Sequence, residues 1–424
     1  MKGRLATLLA GNAAARVGAM GSLGLATVMV AQAGGSVLVG EFTLFRVLPG
    51  IVCVLAVCGL PAASPYFLAR SEEELPRIRA ALVWITLGGA ALGALVWLAL
   101  SPVLRHVFFA QLGLGVVAAA AIPTFTQTFV AVGKSQLQGG QDQRGANVAI
   151  VLEEAAFLPL YGALLFFSRD VTGMLAGLVL ADVAVAAGIA VRLARQGYFR
   201  GWRNPGRKLV GEICGYGLRG QIGGLLQLVN DRFDVAFLAA VASPSVLGVY
   251  TVASKLADLL RMPGLALTYV LYPTFARDPQ GAAGRTASLM VKAFGISVVL
   301  AVPVALLAGP VLPRLFGAEF TAAVLPAQIM IGGTVVCSVA GLVTAFLLGI
   351  GRPGANSISI VAGVAVTVTL NWLLVPTLGA VGAAVAAAAA NVATTVTLLA
   401  FFLRLRGTVP PPPGERPSPQ KVTA

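Results

Sequence analysis

The sequence predicts an all-α membrane protein that crosses the bilayer about twelve times and keeps both termini in the cytoplasm. The 424-residue chain is 58% hydrophobic but only 11% charged, and its mean hydropathy is +0.88. A soluble chain carries about 25% charged residues, so this composition excludes a soluble enzyme. About twelve apolar runs reach the roughly 20 residues that a helix needs to cross a bilayer. The basic residues, which give a net charge of +14, collect on one side of the resulting topology.

The apolar runs follow one another with short connecting loops, none of which has the length of a folded extramembrane domain. The first run contains Arg16 and is longer than the apolar region of a signal peptide, so we expect it to be retained. Residues 407–424 include four consecutive prolines and predict a disordered, extended tail. The runs cover about 5–31, 38–63, 79–100, 108–133, 145–167, 172–195, 211–240, 247–274, 285–309, 321–349, 353–376 and 380–403.

The orientation follows from where the basic residues lie. With the N-terminus inside, 21 of the 30 lysines and arginines fall in inside segments and six within helices. Only Arg105, Arg169 and Arg314 fall outside. Short loops rich in lysine and arginine stay in the cytoplasm. We therefore predict a multi-pass protein of the cytoplasmic (inner) membrane.

The chain also repeats itself weakly at a spacing of about 208 residues. Gly40-x-Phe42-Thr43 matches Gly248-x-Tyr250-Thr251, and Pro65-x-Phe67 matches Pro273-x-Phe275. An even number of helices in each copy makes the repeat parallel, which is typical of transporters with a site between two lobes. The predicted domains are an N-terminal six-helix lobe at 1–195, a basic cytoplasmic linker at 196–210, a C-terminal six-helix lobe at 211–406 and the tail at 407–424.

Polar residues inside the predicted helices locate a candidate site, because intramembrane charges usually face a protein interior or a water-filled cavity. Arg16 and Arg219 have no obvious carboxylate on their own helix face. An unpaired arginine is planar, always charged and bidentate, so these two are candidates to bind phosphate. The predicted cavity comprises Asn12, Arg16, Arg46, Arg219, Gln227, Asn230, Asp234, Lys255 and Asp258.

Two of the carboxylates in the predicted helices, Asp234 and Asp182, have two interpretations each. Asp234 and Lys255 lie at similar depth and could form a structural ion pair rather than part of the site. Glu153, Glu154 and Asp182 are candidates for ion coupling, whereas Asp182 could equally make a helix–helix hydrogen bond. Glu41 is expected near the outer membrane interface, where a charge is tolerated.

Nucleotide and metal binding are not predicted, because the matching stretches lack the structural elements or residues that such sites need. The glycine-rich stretch 349–354 lies between two membrane helices rather than in a βαβ unit, so it does not predict a dinucleotide site. Gly133-Lys134-Ser135 lacks the upstream glycine of a phosphate-binding loop. The four cysteines and single histidine predict no metal site and no disulfide framework. We expect no cofactor, no catalysis and no nucleic-acid partner.

Motifs of the second half resemble one transporter family. Residues 228–234 read Leu-Val-Asn-Asp-Arg-Phe-Asp, and residues 247–256 begin Leu-Gly-Val-Tyr. Residues 315–320 read Leu-Phe-Gly-Ala-Glu-Phe, and 371–384 begin Asn-Trp-Leu-Leu-Val-Pro. In order and spacing these stretches resemble the polysaccharide-exporter branch of the multidrug/oligosaccharidyl-lipid/polysaccharide (MOP) flippase superfamily.

The resemblance implies a flippase that moves a polyprenyl-diphosphate-linked oligosaccharide between leaflets for surface polysaccharide biosynthesis. It implies two six-helix lobes, as in MATE transporters, that alternate around a central cationic cavity. Its partners would be the lipid-linked oligosaccharide, membrane lipids and a glycan polymerase or glycosyltransferases. The first alternative is a cation-coupled exporter of drugs or small molecules in the same superfamily, whose site should be acidic and aromatic. The second is a non-transporting scaffold for glycan assembly, which would not require Arg16 and Arg219.

Overall fold

The structure, a computed structural model, describes residues 2–57, 59–69, 75–199, 205–277 and 282–407. These residues form fourteen α-helices and one 3-10 helix at Ala318–Ala323, with no β-strand among them. The prediction of an all-α membrane protein is confirmed. The helices are α1 Lys2–Ala56, α2 Leu60–Leu68, α3 Leu75–Phe108, α4 Leu114–Ala119, α5 Ala121–Gly139, α6 Gln143–Ala155, α7 Phe157–Leu164, α8 Val171–Arg195, α9 Arg207–Val241, α10 Pro244–Arg277, α11 Ala282–Phe316, α12 Val324–Cys337, α13 Ala340–Gly349 and α14 Pro353–Leu405.

Eight helical stretches in the described part of the chain are long and apolar enough to cross a membrane. Two of them, Ala10–Ala56 and Gly354–Leu405, have 47 and 52 residues, more than twice the length of one crossing. Each is interrupted by glycine with non-helical backbone angles, Gly34 and Gly35 in α1 and Gly379 in α14. Two crossings from each stretch, together with the 35-residue α9 and the 34-residue α10, agree with the predicted number of about twelve.

The break in α1 is held by a residue that is distant in sequence. Gly35 has φ +67°, a conformation that favours glycine. The next helical segment begins at Ser36, whose backbone N–H donates to Glu319 Oε1 at 2.9 Å. The Ser36 hydroxyl donates to Glu319 Oε2 at 2.7 Å. The Glu319 carboxylate therefore caps the N-terminus of the second segment of α1, where a negative charge is favourable.

Removal of this cap should destabilise the protein modestly. We expect Glu319→Ala to lower the free energy of unfolding by about 1–2 kcal/mol, because Ser36 loses a charged acceptor for both its N–H and its hydroxyl. The measurement is thermal unfolding of the purified protein in detergent. Glu319→Gln, which keeps an acceptor oxygen, should lie between wild type and Glu319→Ala. Glu212→Ala, at an exposed position of α9, is the control. Equal melting temperatures for all four proteins would contradict the capping role.

The sequence repeat is visible as direct contacts between equivalent residues. A Cβ atom on Gly40 would collide with the carbonyl of Pro244, and one on Gly248 would collide with the carbonyl of Ser36. Three residues further along each helix, the Thr43 hydroxyl donates to the Thr251 hydroxyl at 3.1 Å. Gly40 and Gly248 are separated by the repeat spacing of 208 residues, and so are Thr43 and Thr251. The matching glycines are therefore needed for close backbone approach, rather than being matched by chance in a glycine-rich chain.

The described residues fall into two compact units. The first comprises Met1–Thr251 with Leu312–Thr321, and the second Val252–Val311 with Ala322–Ala424. The core of the first unit contains the fully buried Trp97, Tyr161 and Tyr198. The core of the second contains Phe346 and Phe402, whose rings meet edge to face at 5.0 Å. The predicted division into lobes at 1–195 and 211–406 stays a prediction.

Candidate functional site

Arg16 lies on α1 and presents an exposed guanidinium group. Its Nε donates to Asn12 Oδ1 at 3.0 Å, one helical turn earlier on the same face of α1. Asn12 Nδ2 in turn donates to Asn147 Oδ1 on α6 at 3.0 Å. In the described part of the chain, Arg16 has no carboxylate within ion-pair distance. The amides of Asn12 and Asn147 therefore orient the guanidinium group, and no carboxylate among the described residues neutralises its charge.

Among the predicted site residues on α9, Arg219 has an arrangement similar to that of Arg16. Arg219 is exposed, and its Nε donates to the carbonyl of Gly215 at 3.0 Å, one helical turn earlier. Asn230 Nδ2 donates to Asp231 Oδ1 at 3.3 Å. The side chain of Gln227 lies outside the described residues.

Asp234, near the C-terminal end of α9, accepts a hydrogen bond from the hydroxyl of Tyr250 on α10 and one from the N–H of Val235 at 2.8 Å. The Asp234–Tyr250 bond joins the two halves of the α9–α10 hairpin. The predicted pairing of Asp234 with Lys255 stays a prediction. In the second unit, Asp258 lies 3.6 Å from Arg261 on the same face of α10.

Arg46 differs from Arg16 in being paired with a carboxylate. Its Nη2 contacts both oxygens of Glu154 on α6, at 2.7 and 2.6 Å. The side chains are 20% and 17% exposed, so the pair is largely withdrawn from the surface. The guanidinium carbon also lies 5.4 Å from the centre of the Phe42 ring. In this conformation the charge of Arg46 is neutralised by Glu154.

The neighbouring carboxylate, Glu153, pairs with Lys134 on α5. Lys134 follows the predicted apolar run at 108–133, and α5 continues through this lysine to Gly139. Its partner on α6 explains how the charge is accommodated there. The buried Asp182 on α8 accepts from Gln127 Nε2 at 3.2 Å, which is the helix–helix hydrogen bond considered above. No group of three or more potential metal-ligating side chains occurs in the described part of the chain.

Several residues at these contacts, among them Asn147, Tyr250 and Glu319, were not among the predicted site residues. Asn147 belongs to a Gly-Ala-Asn triplet that recurs at residues 354–356, and this recurrence was a usable signal. Tyr250 belongs to the repeated Gly-x-Tyr-Thr motif. Glu319 belongs to a recognisable motif, but nothing in its own neighbourhood indicated a bond to Ser36. Repeated polar residues were thus detectable, whereas their partners were not.

A family model described as "Polysaccharide biosynthesis protein" matches residues 27–278, more than half of the chain. The match includes the break in α1, the Arg46–Glu154 pair and the α9–α10 hairpin. No curated protein matches the chain.

Solved structures of membrane transporters share the fold. The lipid II flippase MurJ in an inward closed conformation matches with a TM-score of 0.75 at 11% identity, over 95% of this chain and 90% of that one. An outward-facing multidrug resistance MATE transporter of the MOP superfamily matches with a TM-score of 0.62 at 17% identity, over 95% and 96%. A MOP superfamily transporter from Pyrococcus furiosus, described as having a binding pocket of reverse polarity, gives 0.64 at 17% identity, over 95% and 96%. At these identities the likeness concerns the fold.

Proposed function

The chain belongs to the polysaccharide biosynthesis protein family, and we propose that it is a flippase for a polyprenyl-diphosphate-linked oligosaccharide. It would carry this lipid across the cytoplasmic membrane by alternating access, in surface polysaccharide biosynthesis. Family membership and the MOP-type transporter fold support this proposal. Both termini would be cytoplasmic, and a glycan polymerase or glycosyltransferases would be its partners.

The observation that carries the proposal is the state of Arg16. A diphosphate needs donors that combine positive charge with bidentate geometry, which a guanidinium supplies. Asn12 occupies the Nε of Arg16 and so leaves the two terminal nitrogens for a ligand. Because Asn12 is itself held by Asn147, the guanidinium is oriented before a ligand arrives. Arg219, held through Nε by the Gly215 carbonyl, would be the second phosphate ligand.

Arg46 would bind substrate in the proposed cavity only when its ion pair with Glu154 is broken. While Glu154 is ionised, it competes with any phosphate for the same guanidinium. Binding of a proton or cation at Glu154 would weaken the ion pair and release Arg46 toward the substrate. Glu153, Glu154 and Asp182 are the proposed coupling residues, and Glu154 is the one whose occupancy directly changes a substrate ligand.

A multidrug exporter is the second candidate, favoured by the fold likeness to MATE transporters. A cationic drug would need an unneutralised carboxylate in the cavity. In the described part of the chain, Glu153 and Glu154 are each occupied by a basic side chain, whereas Arg16 has no acidic partner. This balance favours an anionic substrate.

Deleting the gene in the native host tests the proposal. We expect lipid-linked glycan to accumulate in the inner leaflet and surface polysaccharide to be lost, while tolerance of cationic dyes and drugs stays unchanged. Leaflet location can be measured with a membrane-impermeant glycan-modifying enzyme applied to spheroplasts. Normal surface polysaccharide together with new sensitivity to dyes would contradict the flippase proposal and support the exporter.

A further inference from the structure

A cavity of about 180 Å³ opens at the end of the first unit that is predicted to face outside. It lies between the second segment of α1, the C-terminal end of α3 with the loop that follows, and the turn from α9 to α10. Phe109 forms one wall, and its ring stacks on Phe45 with centroids 4.7 Å apart. The loop after α3 is fixed by a 2.8 Å hydrogen bond from Arg105 Nε to the carbonyl of Leu112. The described residues around the cavity are Glu41, Leu44, Val107, Phe108, Phe109, Ala110, Gln111, Ala239, Ala240, Val241, Ala242, Pro244 and Leu247.

Glu41 is the only charged residue among those described around this cavity. It was expected near the outer membrane interface, and the residue is only 3% exposed. Its Oε2 atom is buried and has no hydrogen-bond partner. A buried carboxylate without a partner is strongly unfavourable unless a proton, a cation or water compensates it. Arg46, on the same segment of α1, does not compensate it because it is paired with Glu154.

Two helix ends add to the negative potential of the cavity. α3 ends at Phe108 and α9 ends at Val241, and residues of both ends line it. The last four carbonyls of a helix have no partner within the helix, and together they act as a partial negative charge. The first helical position of α10 is Pro244, which has no N–H to offer them. The Glu41 carboxylate and the C-terminal ends of α3 and α9 therefore all favour a cation as the ligand.

We propose that this cavity, termed the Glu41 pocket, binds a small monovalent cation. The ligand would be an alkali ion with part of its hydration shell or a primary ammonium group. The volume corresponds to about six water molecules, more than a bare ion fills. The Glu41 carboxylate and the carbonyls at the end of α9 would supply oxygen ligands, with the Gln111 amide oxygen at the mouth. Apolar walls from Leu44, Phe109 and Leu247 would exclude larger polar ligands.

The proposal does not depend on the transported substrate. The Glu41 pocket contains none of the residues proposed for phosphate binding or for ion coupling, and it lies beside the tight Gly40–Pro244 contact. A cation bound there would join the α1, α3 and α9–α10 segments at that contact. Binding can be measured on the purified full-length protein whether or not transport of any substrate has been demonstrated.

Equilibrium binding of radiolabelled Na⁺ and of radiolabelled methylammonium to the protein in nanodiscs tests the proposal. We expect saturable binding of one of these cations to wild type, and which one binds identifies the alkali or the ammonium form of the site. In Glu41→Gln, which keeps the side-chain volume, one equivalent should be lost or its affinity weakened at least 10-fold. Glu212→Gln, at an exposed position of α9, is the matched control and should bind like wild type.

A second variant keeps Glu41 and supplies the cation internally. Ala239 is buried in the cavity wall, so the ammonium of Ala239→Lys would occupy the pocket. We expect folded Ala239→Lys to lose the same equivalent of bound cation as Glu41→Gln. If only one of the two variants folds, cation binding to that variant tests the proposal. Unchanged binding in a folded variant, or no saturable binding of either cation to wild type, would overturn the proposal.

Discussion

Replacing Arg16 by alanine should reduce flipping of the lipid-linked oligosaccharide by roughly 100-fold or more while leaving expression normal. Two charge-assisted hydrogen bonds to a diphosphate, each contributing about 1.5–3 kcal/mol, would be lost. The protein itself should tolerate the change, because Arg16 is exposed and bonds only to Asn12 in the described part of the chain. The measurement is the initial rate at which lipid-linked glycan reaches the outer leaflet, normalised to the amount of folded protein.

Matched variants separate the chemistry of Arg16 from its charge. Arg16→Lys keeps the charge but not the planar fork, so it should recover only part of the activity. Asn147→Ala leaves Arg16 in place but removes the support of Asn12, and should lower the rate by about tenfold through weaker orientation of the guanidinium. Arg207→Ala, at an exposed position of α9, should be neutral. Full activity in Arg16→Ala would remove the phosphate-ligand assignment.

The second large effect concerns folding rather than substrate binding. Replacing Arg46 by alanine should lower the free energy of unfolding by about 3 kcal/mol, because Glu154 would remain inside the protein without its counter-charge. The stacking of the guanidinium near the Phe42 ring is lost as well. We expect a lower yield of folded protein and a lower unfolding temperature in detergent.

A double variant distinguishes an unpaired carboxylate from a lost contact. Arg46→Ala with Glu154→Ala removes both charges and should recover much of the stability lost in Arg46→Ala. If Arg46 also binds substrate after release from Glu154, the double variant should fold and still transport poorly. A double variant that is no more stable than Arg46→Ala would contradict the ion-pair explanation. The same double-mutant cycle at Lys134 and Glu153 should give a smaller coupling free energy than the cycle at Arg46 and Glu154, because these side chains are more exposed, at 21% and 28%.

Local sequence properties predicted the helical class, the approximate number of crossings and the repeat. Apolar length is a property of consecutive residues, and the bilayer sets one length scale for all helices. The repeat was detectable because a close glycine contact restricts the residue type at both positions, as at Gly40 and Gly248. The burial of Glu41 against other helices was not predictable, because hydropathy along the chain does not reveal which faces of α1, α3 and α9 meet.

The candidate site was predictable by residue type but not by partner. Helical spacing placed Asn12 beside Arg16, since residues four apart share a face. It gave no means of foreseeing that Asn147 would support Asn12, or that Glu154 would neutralise Arg46, because those partners lie 135 and 108 residues away. Two arginines that look equivalent in sequence thus differ in the fold, because Arg46 has a carboxylate partner and Arg16 has none among the described residues.

Apolar length and the repeat spacing identify this chain as a helical membrane protein built from a repeated unit, with charged residues placed inside its helices. Which of those charges are compensated depends on how the helices pack against one another. Arg46, Lys134 and Asp182 have partners on neighbouring helices, whereas Arg16 and Glu41 have no group of opposite charge among the described residues. The physical reason is that apolar burial acts on each segment alone, whereas charge compensation depends on which segments meet.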